Sequence, residues 1–166
     1  MKVRNIKCSV YTKGFLKDGL KRSEVYKFSM DEITMFIYGH SPQHLNVTGL
    51  KCVEDVKYIM GRIEKKFNIK CINVKIDNIF ISHKDTKNIK LSNVYQHVNQ
   101  NFKHLYIVDY NVELFPGMFL KPQSNAWPTI ILFRTGSFQI MGGKDYKCIL
   151  EAQSLVQNII NHFVKN

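Results

Sequence analysis

The feature that most constrains the fold is an order of predicted elements, strands followed by a helix, that occurs twice along the chain. Alternating apolar and polar residues predict strands in the first half at residues 5–11, 24–28, 33–38 and 45–48. Apolar residues at every third or fourth position then predict a helix from Val53 to Phe67. The second half repeats the strand pattern at 72–82, 118–121, 129–133 and 138–141. With a short helix after Ser92 and a long C-terminal helix, this order indicates an α+β fold.

Individual segments also match between the halves. Three pairs correspond: 34–38 with 129–133, 48–51 with 141–144, and Asn5-Ile6 with Asn78-Ile79. The third pair is closer together along the chain by roughly 20 residues, so we expect the first half to lack the early helix of the second. We interpret the pattern as a degenerate duplication, with a first repeat at 1–71 and a second at 72–166. Chance matching between strand-rich segments is the alternative.

The charge of the chain favours an acidic partner. The formal net charge is +11, and the isoelectric point is near 9.5. Nucleic acid is the commonest acidic partner of a compact basic domain, although basic charge can also serve solubility alone. The apolar runs are the length of strands and too short for a membrane-spanning helix. With no basic and apolar leader at the start, we expect an intracellular protein.

The cysteines and histidines do not form a recognisable metal motif. Cys8, Cys52, Cys71 and Cys148 are scattered, whereas zinc sites need closely spaced pairs of ligands. His40 and His44 have a spacing that suits a metal on a helix. They flank Ser41-Pro42, however, so a polar turn is the better interpretation. We therefore expect buried thiols and neither a metal nor a cofactor.

The second half carries the most specific motif. Glu113-Leu114-Phe115-Pro116-Gly117 is followed by Ile131-Leu132-Phe133, then by Thr135-Gly136 and Gly142-Gly143-Lys144. These residues closely resemble the C-terminal repeat of the TATA-box-binding protein family. Lys75–Ile79 and Val3–Ile6 look like the strands that open that family's second and first repeats. The resemblance covers most of residues 3–164 and is strongest from Lys75 onward.

The resemblance implies both a fold and a function. The fold would be a saddle, in which two pseudo-repeats form one curved antiparallel sheet with helices on its convex face. The function would be that of a general transcription factor that binds the minor groove of A·T-rich promoter DNA and bends it, and not that of an enzyme. The partners would be a transcription factor IIB-like protein and the RNA polymerase machinery. A divergent member, such as one from a large DNA virus, would act in the nucleus or in a cytoplasmic viral factory or virion.

The resemblance also assigns residues to DNA. Alternate side chains of a strand share one face of the sheet, and the family's DNA-contacting positions follow this register. In the first repeat they are Asn5, Lys7, Thr34, Phe36, Tyr38, Asn46 and Thr48. In the second repeat they are Asn78, Phe80, Thr129, Ile131, Phe133, Gln139 and Met141. Phosphate contacts would come from Lys51, Lys121, Arg134 and Lys144.

Some of these positions have specific roles. By resemblance Phe115 and Phe133 are the pair that wedges between base steps, and equal spacing assigns Leu20 with Tyr38 to the first repeat. Asn5 and Asn78 would donate to the minor-groove acceptors of A·T pairs. The alternative is that each asparagine bonds its own backbone.

Other positions depart from the family's pattern or concern a protein partner. Lys7, Phe80, Asn46 and Gln139 replace the family's valines, so we expect a relaxed or altered sequence preference. Tyr110 and Glu113 keep two positions that dock transcription factor IIB, whereas Asn111 replaces an acidic residue there.

Two other classes of function remain open. The chain could be a saddle-shaped interaction module or a non-specific nucleic-acid clamp that has lost specificity for the TATA sequence. Lys7, Tyr38, Asn46 and Gln139 favour this alternative. It could also be an accessory substrate-binding domain of an enzyme, although the sequence shows no catalytic carboxylate cluster, metal motif or nucleophile arrangement.

Overall fold

The computed structural model describes residues 2–164. The chain divides into two compact units, of which one comprises Arg4–Asn78 and the other comprises the chain from Ile79 onward with the first few residues. Strand β5 contributes residues to both units. The division into repeats at residue 71 stays a prediction.

The first unit consists of antiparallel strands and one helix. Its elements are β1 (Lys2–Thr12), β2 (Val25–Met30), β3 (Ile33–Tyr38), β4 (Ser41–Leu50), α1 (Glu54–Phe67) and the beginning of β5 (Cys71–His83). The strand order is β2-β3-β4-β1-β5. On β3, Ile33, Met35 and Ile37 are buried, whereas the side chains between them are half exposed. The unit therefore has one face covered by its core and one open face.

Helix α1 has chemical signals at both ends. The carboxylate of Asp55 accepts hydrogen bonds from the backbone N–H groups of Lys51 at 2.8 Å and Cys52 at 3.0 Å. These bonds tie the segment before the helix to its first turn, whereas Val53 at the N-cap position makes no side-chain capping bond. The helix ends at Phe67. Asn68 caps it in the left-handed conformation, and the N–H groups of Asn68 and Ile69 both donate to the carbonyl of Glu64. Between these ends, Val56, Ile59 and Ile63 are buried and hold the helix to the sheet.

The second unit adds two helices to the same strand pattern. After the end of β5 it contains α2 (Leu91–Asn101), β6 (Tyr106–Asp109), β7 (Gly117–Pro122), β8 (Thr129–Phe133), β9 (Phe138–Gly143) and α3 (Tyr146–Val164). The strand order is β5-β9-β8-β7-β6, and neighbouring strands pair antiparallel. Helix α2 packs on β6, and α3 packs on β8 and β9. In the described range 2–164, no helix has the length and apolar character needed to cross a membrane.

The two units share one ladder register. Thr34 lies opposite Thr48 in the first unit, as Thr129 lies opposite Met141 in the second. Across the same strands, one ladder pairs Phe36 with Asn46 and the other pairs Ile131 with Gln139. Strands β3 and β4 therefore correspond, residue by residue, to β8 and β9.

Three sequence-based expectations differ from the structure. Strand β6 was not predicted, because its four residues are too few to show a period. Helix α2 begins at Leu91 after Lys90, rather than after a cap at Ser92, and no side chain caps it. The predicted polar turn is confirmed for His40 but wrong for His44, which lies in β4 opposite Tyr11 and stacks on its ring at 4.7 Å. Pro42 does not prevent strand pairing here, because it is the second residue of β4 and proline is tolerated near the start of a strand.

Candidate nucleic-acid interface

Seven predicted DNA-contacting side chains of the first unit lie in the register of its open face. We call this set the first open face: Asn5, Lys7, Thr34, Phe36, Tyr38, Asn46 and Thr48. Lys7 and Thr34 lie on either side of Thr48, each as its direct ladder partner. Strand pairing thus brings together residues that are far apart in the sequence.

Asn5 is held in a defined orientation. Its amide oxygen accepts hydrogen bonds from the backbone N–H of Gly49 at 2.7 Å and from the hydroxyl of Thr48 at 3.2 Å. Its amide nitrogen lies 3.0 Å from the same hydroxyl oxygen. The backbone N–H of Gly49 can only donate, so it must face the amide oxygen of Asn5. The amide nitrogen of Asn5 is therefore the end that faces Thr48 as a donor. An amide nitrogen has two N–H groups, and one bond to Thr48 uses only one of them.

A polar cluster on this side of the sheet was missed at the sequence level. The hydroxyl of Ser9 donates to the carboxylate of Asp77 at 2.6 Å and lies 3.3 Å from the amide oxygen of Asn46. The period-two register that gave Asn5 and Lys7 continues to Ser9 and could have found it. The sequence pattern did not predict Asp77, because it assigned the neighbouring Asn78 to the open face. The carboxylate makes this part of the interface more polar.

His44 adjoins the same cluster. Burial lowers the pKa of His44, while the nearby carboxylate of Asp77 acts in the opposite direction. Its Nε2 is buried, and no hydrogen-bond partner for it is present among the described residues. The neutral imidazole therefore packs against Tyr11 as a flat, largely apolar surface.

The predicted pairing of Leu20 with Tyr38 is corrected by the ladder register. Val25 lies opposite Tyr38, as Gly117 lies opposite Phe133. Phe115 comes two residues before Gly117, so its counterpart is Ser23, two residues before Val25. The assignment of Leu20 assumed that 18 residues separate the two members of each pair, but the ladders place the counterpart of Phe115 only 15 residues before Tyr38. Just before β2, the backbone of Gly39 donates to the carbonyl of Glu24 at 2.9 Å.

Six further predicted DNA-contacting side chains form the corresponding set in the second unit. We call this set the second open face: Phe80, Thr129, Ile131, Phe133, Gln139 and Met141. Most are half exposed, but Ile131 is only 6% exposed because neighbouring side chains cover it. Asn78 is half exposed and is the last residue of the first unit.

Three aromatic rings meet at one end of the second open face. The ring of Phe115 lies 5.0 Å from that of Phe119 and 6.0 Å from that of Phe133, between centroids. All three rings are half exposed rather than buried in the core. A Cβ atom on Gly117 would lie 2.7 Å from the ring of Phe115, so glycine makes room for this aromatic cluster. Phe119 was missed by sequence, although the alternation from Gly117 places it on this face.

The predicted phosphate-binding cations have different surroundings. Arg134 follows β8, Lys144 follows β9, and both are exposed. The ammonium group of Lys51 donates to the carbonyl of Arg4 at 2.6 Å. Lys121 forms an ion pair with Asp109 at 2.5 Å, with both side chains about half exposed. The carboxylate of Asp109 offsets the charge that Lys121 would offer to a phosphate.

The segment before β7 forms a compact, exposed turn. The side-chain oxygen of Asn111 accepts from the N–H of Glu113 at 3.1 Å, and its carbonyl accepts from the N–H of Phe115 at 3.0 Å. This organisation leaves Val112 66% and Leu114 83% exposed. Glu113 is exposed and Tyr110 is half exposed, so both predicted partner contacts are accessible. The exposed apolar pair beside them was not predicted.

Three of the four cysteines, Cys8, Cys71 and Cys148, are buried as expected, whereas Cys52 is half-buried. Burial raises the pKa of Cys8 to about 12 and that of Cys71 to about 11, which leaves both protonated and unreactive near neutral pH. Across residues 2–164, no group of three or more histidine, cysteine or acidic side chains is arranged to hold a metal ion.

The family assignment rests on a match that begins in β5 and extends through most of the second unit. The family model described as "Transcription factor TFIID (or TATA-binding protein, TBP)" matches residues 73–163, which is more than half of the chain. The chain belongs to the TATA-binding protein family. It is therefore a member of a family of DNA-binding transcription factors, which are not enzymes and whose partners are DNA and the transcription machinery. The resemblance seen in the sequence is confirmed.

A solved structure supports the fold over nearly the whole chain. "Methanococcus jannaschii TBP" is similar to this chain with a TM-score of 0.67 and 19% sequence identity, over 97% of this chain and 98% of that one. The predicted fold class, α+β and of the TATA-binding protein type, is thereby confirmed. No curated protein matches the chain.

Proposed function

We propose that this member of the family binds A·T-rich promoter DNA in the minor groove, bends it, and so acts as a general transcription factor. The observation that carries the proposal is the aromatic cluster of Phe115, Phe119 and Phe133, which is half exposed instead of filling the core. Exposed aromatic rings at one end of a sheet face have the form of a wedge. A wedge of this kind unstacks a base step and kinks the duplex.

The first open face supplies groups that suit A·T pairs. These pairs present only acceptors in the minor groove, whereas the exocyclic amine of guanine adds a donor that projects into it. The amide nitrogen of Asn5 is oriented as a donor by Gly49 and Thr48. Exposed cations such as Arg134 and Lys144 would add phosphate contacts whose strength falls with salt.

The wedge is tested by measuring the bend directly. A duplex labelled with fluorophores at its two ends reports bending by energy transfer when the full chain binds. We expect Phe115→Ala and Phe133→Ala each to abolish the bend while the circular dichroism spectrum is retained. Tyr95→Ala is the matched control, because Tyr95 is an exposed aromatic residue on α2. Unchanged bending in both phenylalanine variants would refute the proposal.

A second candidate function is a clamp without sequence preference. The hydrogen bond between Ser9 and Asp77 favours it, because it makes the region beside the first open face more polar and so less like an apolar surface that selects A·T pairs. Selection from a pool of randomised duplexes, followed by sequencing, separates the two functions. An enriched A·T-rich motif supports the promoter factor. Equal recovery of A·T-rich and G·C-rich duplexes, each with a steep salt dependence, supports the clamp.

The exposed turn before β7 is proposed as the surface for a transcription factor IIB-like protein. Tyr110 and Glu113 are accessible there, beside exposed Val112 and Leu114. Glu113→Arg should prevent a ternary complex with such a protein on DNA while leaving the binary complex intact, as a gel-shift assay would show. The proposed sites of action are the nucleus or, for a virus-encoded member, a cytoplasmic viral factory or virion. Immunofluorescence of the expressed chain tests them.

A further inference from the structure

The first unit ends at a strand whose counterpart in the second unit is covered. Within the described residues, β2 is the terminal strand of its side of the sheet. Its counterpart β7 is instead followed by one more strand, β6. The register equates Val25 with Gly117 and therefore Lys27 with Phe119. Among the described residues, the first unit thus has no strand in the position that β6 occupies beside β7.

The backbone groups that face this edge can be identified from the phase of the ladder. The N–H of Gly39 donates to the carbonyl of Glu24, which makes Glu24 and Gly39 a hydrogen-bonded pair. Because such pairs alternate along an antiparallel ladder, Val25, Lys27 and Ser29 turn their N–H and C=O groups away from β3. Outward groups of this kind form a template for a further strand.

The second unit shows how the equivalent edge is used. The N–H of Gln123 donates to the carbonyl of Leu105 at 2.9 Å, so the bonded pairs of β6 and β7 include Phe119 with Asp109. Phe119 is the counterpart of Lys27. The groups that bond β6 in one unit are therefore the same groups that face outward in the other.

Cations lie against β2, whereas two of the carboxylates that flank it already have partners: Glu24 accepts from the N–H of Lys21, and Asp31 pairs with Arg62. The ammonium group of Lys17 lies 3.7 Å from the centre of the Tyr26 ring, and that of Lys66 lies 5.4 Å from the centre of the Phe28 ring. Val25, at the start of the strand, is 50% exposed. A second copy would bring the same cations into opposition, which like-charge repulsion disfavours. An acidic strand with apolar side chains suits both the charge and the exposed surface.

We propose that the edge of β2 binds an extended acidic segment of a partner protein, which adds to the sheet as an antiparallel strand beside Val25, Lys27 and Ser29. Main-chain hydrogen bonds would supply the affinity, and Lys17 and Lys66 would select acidic side chains. The edge itself pairs through backbone groups in the plane of the sheet, whereas the side chains of Val25, Lys27 and Ser29 lie on the same side as the first open face.

The test uses the full chain and a synthetic peptide that copies the strand covering the equivalent edge. The probe is a fluorescein-labelled peptide of residues 106–109 flanked by glutamates, and binding is measured by fluorescence anisotropy. Lys27→Pro removes an outward N–H without removing a bond to β3, whereas Lys27→Ala removes only the side chain. We expect the proline variant to bind the peptide about tenfold more weakly than the alanine variant, as one lost main-chain bond implies. Equal binding by the two variants would overturn the proposal.

Two further measurements do not depend on how a proline variant folds. A peptide that carries N-methyl groups on the amides of its pairing edge should not bind the unmodified chain, and a lysine-flanked peptide should bind much more weakly. Hydrogen exchange should show new protection at Val25, Lys27 and Ser29 when the glutamate-flanked peptide is bound. Binding of the N-methylated peptide, or unchanged exchange at these amides, contradicts strand addition.

Self-pairing and DNA binding are distinguished by separate outcomes. If sedimentation shows a dimer and Lys27→Pro dissociates it, the occupant of the edge is a second copy of the chain and the proposal is overturned. The proline and alanine variants lose the same side chain, so their DNA affinities should equal each other. DNA bending that persists while the peptide fails to bind would reject the edge site and leave the proposed promoter function standing.

Discussion

The side chain of Ile149 on α3 occupies the space that a side chain on Gly143 would need. A Cβ atom at Gly143 would lie 2.3 Å from Cδ1 of Ile149 and 2.5 Å from its Cγ1. Ile149 is fully buried, so it cannot move without disturbing the contact between α3 and β9. The glycine thus sets how closely the long helix approaches the strand that carries Gln139 and Met141.

This contact predicts a cost for a single added methyl group. We expect Gly143→Ala to lower the free energy of unfolding by about 1–3 kcal/mol, the usual range for overpacking. Chemical denaturation measures the change. The matched control is Gly61→Ala in α1, where no atom lies within 4 Å of the added group. That variant should gain up to about 1 kcal/mol from helix propensity. A Gly143→Ala variant as stable as the parent would contradict the packing described.

The orientation of Asn5 predicts different effects for two substitutions. Asn5→Asp keeps an acceptor for Gly49 and Thr48 but has no donor and adds charge, so stability should hold while DNA affinity falls by about 1–3 kcal/mol. Asn5→Ala leaves the N–H of Gly49 without its partner and should also lower the melting temperature. Fluorescence anisotropy and thermal denaturation give the two readouts. Asn73→Asp, at an exposed position of β5, controls for the added charge.

The ion pair between Lys121 and Asp109 predicts a gain in DNA binding. Asp109→Asn removes the carboxylate that offsets Lys121, so affinity should rise and the slope of log K against log salt should steepen by about 1. Stability should change little because the pair is exposed. Glu151→Gln removes an equal charge on α3 and should leave the slope unaltered. If both variants change the slope equally, Lys121 is not a specific phosphate contact.

The aromatic cluster predicts energetic coupling between its members. Phe115 and Phe119 are 5.0 Å apart, in a tilted arrangement that favours ring contact. A double-mutant cycle with alanine at both positions should give a coupling energy of about 0.5–1.5 kcal/mol in unfolding. Additive effects would mean that the rings do not support each other.

The histidine pair between α2 and α3 predicts how stability depends on pH. Burial, with the nearby His162, lowers the pKa of His97, and the two rings stack at 5.0 Å. The folded chain therefore holds fewer protons than the unfolded chain once the pH falls below about 6.5, the ordinary value for histidine. Stability should fall as the pH decreases from 7 to 5, and His97→Phe should reduce that fall. If stability falls equally with pH in the parent chain and in His97→Phe, His97 does not cause the pH dependence.

Much of both open faces could be predicted because strands alternate. Once Thr34, Phe36 and Tyr38 are assigned to one strand, the period of two places all three on the same face, and the structure agrees. The motif around Phe115 gave the family, since its residue types are specific. Whether these residues contact DNA stays a prediction.

The features that were missed depend on relationships that a linear pattern does not contain. Leu20 was assigned by equal spacing, which assumes that both connections have the same path, whereas the ladders equate Ser23 with Phe115. Asp77 meets Ser9 only through contacts between residues that are distant in sequence. Strand β6 is stabilised by pairing with β7 and by packing against α2. Its four residues are too few to show a strand period in the sequence.

Gly117 has a consequence for how tightly the aromatic cluster could grip a duplex. Because no side chain stands there, the rings of Phe115 and Phe133 rest against the backbone, 2.7 and 3.0 Å from where a Cβ would be. Rings confined in this way have few rotamers left to lose. Binding that inserts them between bases would therefore forfeit little conformational entropy, so more of the stacking energy would appear as affinity.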